Sequence, residues 1–94
     1  MWDDKAGTLR KYSIPPNDGG DYEDDDLIPV CLGGDNADPR NHWPQPLAEA
    51  HEKDDLEWYA CRDVCESGDS LAWWQSGFRI DWRPLYRKIF RRDP

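Results

Sequence analysis

Ninety-four residues make one domain, close to the lower limit at which a chain buries a core without staples. Hydrophobic content is 37% and mean hydropathy −1.03, but six Trp and four Tyr point to a thin, aromatic-rich core rather than disorder. The net charge of −8 divides unevenly: residues 1–70 hold 18 acids and six bases, a net −12, and residues 71–94 hold six bases and two acids, a net +4. An acidic body with one basic end is a poor general DNA binder and suits docking on a basic surface. No apolar run spans a bilayer and no basic segment precedes a leader-like apolar one, so a soluble protein of a cytoplasm is expected. Three Cys, an odd number without framework spacing, argue against a disulfide scaffold.

Met1 to Gly20 reads as a polar N-terminal segment, with a short helical turn over Thr8–Tyr12 and a break at Pro15–Gly20. The acidic run Tyr22–Asp26 leads into Leu27–Leu32, an apolar stretch of strand length in which Pro29 marks an edge strand or a strand end. Gly33-Gly34 allows a tight turn, Asp35–Arg40 is a loop, and Asn41-His42-Trp43 is the short return strand. Pro44 and Pro46 force an extended exit, after which a helix runs from about Leu47 to Glu66 with Leu56, Ala60 and Val64 on one face. Ser67-Gly68 stops it. Asp69 or Ser70 caps a second helix, Leu71 to about Phe78, interrupted by Gly77. Asp81 caps a third, with Trp82, Leu85, Tyr86, Ile89 and Phe90 on its apolar face and Arg83, Arg87, Lys88 and Arg91 opposite.

The expected fold is α+β: a small hairpin packed on the first helix, extended by two C-terminal helices, with residues 21–94 as the folded domain. Trp43, Trp73 and Trp82 are expected in the core and Trp2 loose. Cys61 and Cys65 are expected as small buried thiols.

The ordered run DYE (Asp21–Glu23), LIP (Leu27–Pro29), LGG (Leu32–Gly34), DPRN (Asp38–Asn41), WPQP (Trp43–Pro46) and EKD (Glu52–Asp54) has a specific likeness. Together with CR at Cys61-Arg62, VC at Val64-Cys65 and DW at Asp81-Trp82, it resembles small bacterial and phage proteins of the HNH (His-Me finger, ββα-metal) nuclease superfamily. The resemblance covers roughly Leu9 to Arg92. It implies a hairpin-helix element in which Asp25 and His51 hold a divalent metal (Mg, Mn, Ni or Zn) and Asn41 orients the general base. The base position is held by Asp26 where the family has His, and His42 stands where the family has an apolar residue before Trp43.

Asp26 is ionised but weakly basic at neutral pH, with an ordinary pKa of roughly 3.9. Loss of general-base assistance costs ~10²–10⁴-fold in rate. If the return strand is regular, His42 faces away from Asn41 and does not replace the base. Two functions follow. One is a catalytically impaired HNH-fold binding protein, similar in size and charge to phage-encoded inhibitors of host defence such as anti-CRISPR proteins. It would present Asp21, Glu23, Asp24, Asp26, Asp35 and Asp38 to a basic nucleic-acid-binding groove of a protein partner. The other is a metal-dependent HNH endonuclease that cuts or nicks DNA directly.

Overall fold

The computed structural model describes residues 5–68 and 70–94. The fold is α+β. Helix α1 (Lys5–Lys11) is followed by a 3₁₀ segment (Pro16–Asp21), strand β1 (Tyr22–Asp26), a loop holding two further 3₁₀ turns, and strand β2 (His42–Pro46). Helix α2 (Leu47–Arg62) continues into a π-helical turn (Asp63–Ser67), and α3 (Leu71–Ile80) and α4 (Trp82–Phe90) complete the chain. Among the described residues no helix is long and apolar enough to cross a membrane.

The strands form an antiparallel pair whose register runs from Tyr22 opposite Pro46 to Asp26 opposite His42. The first strand is therefore the acidic YEDDD, and not the apolar Leu27–Leu32 run expected for it. Pro29 cannot donate to a ladder, and Val30–Leu32 coil into a 3₁₀ turn that drops Leu32 into the core with no exposure. The Asn41 amide fixes where pairing stops: its Oδ1 accepts from Ile28 N at 2.9 Å and its Nδ2 donates to Ile28 O at 3.0 Å. Gly34 packs so closely here that a Cβ on it would overlap the Ile28 carbonyl.

The core joins Leu32, Leu56 and Ala60 to Trp74 and Phe78 of α3 and to Trp82, Leu85 and Tyr86 of α4. Both C-terminal helices are capped as the sequence suggests: Ser70 accepts from Trp73 N and Asp81 from Arg83 N. The alternative cap Asp69, like Trp2, lies outside the described residues. Gly77 does not interrupt α3, which runs unbroken to Ile80. It makes room for Leu85, whose methyl group would collide with a Cβ there, so the glycine lets α3 and α4 approach. Trp74 and not Trp73 is the buried tryptophan of α3, because only Trp74 shares the i, i+4 stripe with Phe78; Trp73 is exposed.

Two further expectations are corrected. Cys31 and Cys61 are joined in a disulfide, Cα atoms 5.9 Å apart, which ties the 3₁₀ turn to α2, and Cys65 is exposed. The polar N-terminal stretch also packs: Gly7, Thr8 and Leu9 of α1 are buried, and Lys11 donates to the carbonyls of His42 (2.7 Å) and Pro39.

Candidate functional site

Strand alternation sorts the acidic hairpin into two faces. Glu23 and Asp25 share one face with Gln45 and Trp43, turned toward α2. Asp24 and Asp26 share the other with His42 and Pro44, turned toward α1.

On the α2 side the organising group is Lys53, whose side chain is completely buried. Its ammonium donates to Asp25 Oδ2 at 2.8 Å, to Glu57 Oε2 at 2.6 Å and to the Asp26 carbonyl at 3.1 Å. All three N–H donors are used, which is what lets a lysine sit in a core. More carboxylates surround it than one cation neutralises. Burial pushes the Glu57 carboxyl up to about 7 even beside Lys53, with Asp25 and Asp54 adding to the rise. Glu23 is raised by burial and by its neighbours Asp25 and Asp54. Asp54 is raised by burial and by Asp25.

On the α1 side His42 is buried with both ring nitrogens facing acceptors: Nδ1 lies 3.0 Å from Asp24 Oδ1 and Nε2 lies 2.6 Å from the Asn36 carbonyl. Only the imidazolium donates both bonds at once. Burial opposes that charge, but the Asn36 carbonyl, Asp24 and Asp26 together hold the His42 pKa above its ordinary value. Thr8 Oγ1 donates to the same Asp24 oxygen at 2.8 Å. The Asn36 side-chain amide, oriented to satisfy both groups, donates to Asp26 at 3.1 and 3.3 Å. Asp26 is itself raised by burial and by Asp25 and Asp24, against the pull of His42 and Lys53.

The residues expected to form one catalytic centre are thus distributed among separate tasks. Asp25 faces α2, where its partner is Lys53 in place of the expected His51. Two residues along a helix are about 200° apart, so His51 is turned away from Lys53. Its side chain is 84% exposed and meets Asp55 at 3.6 Å. Asn41 braces the Ile28 loop. Asp26 faces the opposite side of the hairpin from Asp25, and His42, expected to face away from the site, lies beside Asp26 on that side. The residues do not fit a metal at Asp25 and His51, since an ammonium holds the carboxylate. Among the described residues no three His, Cys, Asp or Glu side chains converge to hold an ion.

The acids expected to face a partner divide as well. Asp21 is exposed, Asp35 caps Ala37 N at 2.8 Å, and Asp38 is clasped by Arg40 at 2.7 Å, which holds its carboxyl down to about 2. Sequence reasoning missed Lys53, Glu57 and Asp54. A signal was present: Lys53, Leu56 and Ala60 fall at i, i+3 and i+7, so the lysine lies on the buried stripe of α2.

Compared with known proteins, the chain matches no family model, no curated protein and no solved structure.

Proposed function

We propose that this chain is an acidic binding protein, related in its sequence layout to HNH nucleases, that inhibits a nucleic-acid-handling effector by occupying its basic groove. The single observation behind this reading is the buried Lys53–Asp25 pair: the carboxylate that metal-dependent cleavage requires is committed to a protein cation. Glu23, Asp54 and Glu57, whose pKa values rise through burial first and through repulsion from neighbouring carboxylates second, agree with it. A basic surface relieves such repulsion on binding. If the chain is phage-encoded, its place of action is the host cytoplasm, and anti-CRISPR-like inhibition of a defence effector is the form we favour.

The test has two arms. Titrated against DNA-binding effectors carrying fluorescent DNA, RNA-guided nucleases among them, the protein should displace DNA from at least one, and less so as salt rises. Incubated with supercoiled plasmid and Mg²⁺, Mn²⁺ or Ni²⁺, it should leave the plasmid intact. The second reading, a metal-dependent HNH endonuclease, draws on the chain order of Asp25, Asn41 and His51 through a hairpin and helix. Metal-dependent nicking that His51→Ala abolishes would establish it and overturn the first.

A further inference from the structure

Helix α2 carries two of its acids and its exposed aromatics on one continuous strip. Asp54 and Asp55 precede Trp58 and Tyr59 by one turn, and Trp58 is 63% exposed, the most exposed aromatic side chain among the described residues. Beyond it lies a groove of about 240 Å³ lined by Trp58, Tyr59, Arg62, Asp63, Glu66 and Ser67.

The chain itself shows what this groove accepts. The Arg62 guanidinium lies 4.6 Å from the centre of the Trp58 ring, between that indole and the Glu66 carboxylate. Its hold is loose: the bonds to Glu66 are 3.3 and 3.4 Å, and both side chains are more than half exposed. Nearby, the Lys88 ammonium lies 5.3 Å from the exposed Trp73 ring, a second cation on a second indole. Indole faces flanked by carboxylates attract planar cations by stacking and by charge together, and arginine serves that geometry better than lysine.

We infer that the α2 strip Asp54–Asp55–Trp58–Tyr59 is the docking surface for an arginine-rich protein surface, with a partner guanidinium taking the Trp58 face that Arg62 now covers. The inference rests on the acidic-binding reading above. It adds which face binds, and it requires arginine rather than positive charge in general.

The experiment measures the affinity of fluorescein-labelled deca-arginine and deca-lysine peptides for the full chain by anisotropy at low salt. The arginine peptide should bind about five-fold or more tightly than the lysine peptide, and Trp58→Ala should weaken it by about 2–5-fold and erase most of that preference. Arg62→Ala should tighten arginine-peptide binding more than Arg79→Ala, which removes the same charge elsewhere. Equal affinity for both peptides, or a preference that survives Trp58→Ala, overturns this inference and leaves the acidic-binding reading standing. No binding of either peptide defeats both. Tight binding of a single-stranded oligothymidylate that Trp58→Ala abolishes would give the groove to nucleic acid and overturn the inference as well.

Discussion

On one side of the hairpin Asp25 accepts from an ammonium sealed in the core; on the other Asp24 meets an imidazole and the Thr8 hydroxyl. The same acidic strand thereby meets two different cationic partners, a lysine of α2 on one face and a histidine of its own hairpin on the other. The α2 face is also tied covalently through Cys31–Cys61, whereas the α1 face relies on hydrogen bonds from Thr8, Asn36 and Lys11. The α2 face should fail abruptly when its cation is removed, and the two faces should respond to pH in different windows, through Glu57 on one and His42 on the other.

Removal of the buried ammonium is the most disruptive test. Lys53→Met leaves Asp25 and Glu57 partly buried without a counter-charge and should cost about 3–5 kcal/mol in urea denaturation. Adding Asp25→Asn and Glu57→Gln should restore much of that loss. If the single variant melts like the parent, the buried ammonium does not hold the hairpin on α2.

Reduction of Cys31–Cys61 comes next. A link spanning 30 residues contributes about 3–4 kcal/mol by chain-entropy reasoning, so dithiothreitol or Cys61→Ser should lower the melting temperature clearly. The His42 network should respond less to reduction than the α2 face, which amide exchange at β2 and α2 would show.

The pH dependence separates the faces more finely. Glu57 has a folded pKa raised from 4.5 to about 7, so the native state holds the extra proton and stability falls as pH rises between those values. His42 is also raised, but there the charged form is the bonded one. Its contribution is complete below about 6.5 and is lost as pH rises through the higher folded value. Glu57→Gln should flatten the lower window and His42→Asn the upper one. The His42 change should also cost about 1–3 kcal/mol near pH 6, because buried acceptors lose their donors. One broad slope unaffected by either substitution would break the comparison.

Where regular helical patterns carried the signal, the sequence was legible. The apolar stripe and cap of α4, a cap for α3 at Asp69 or Ser70 and the α2 start after Pro46 follow from period and end signals alone. The strands were displaced because Asp and Glu disfavour strands in isolation, so YEDDD resembled a solvated run and Leu27–Leu32 resembled a strand. What makes YEDDD a strand is tertiary: Lys53 beneath it and His42 with Thr8 above it. The site followed the same pattern. Asp25 does face α2, but Lys53 enters the sequence reading only within the EKD match, although its spacing to Leu56 and Ala60 places it inside. Cys31–Cys61 was hidden because the bond depends on how the loop after β1 folds back onto α2, and an odd cysteine count gives no pairing.

Lys53 holds Asp25 at 2.8 Å, and the proposed binding role requires that this contact keep the carboxylate from a metal. Mn²⁺ titration followed by amide NMR examines that contact itself, since the paramagnetic ion broadens signals near wherever it binds. The prediction is weak, unsaturated broadening spread over the exposed acids, with no centre at Asp25. Saturable broadening focused on Asp25 and His51, and absent in Asp25→Asn, would contradict it.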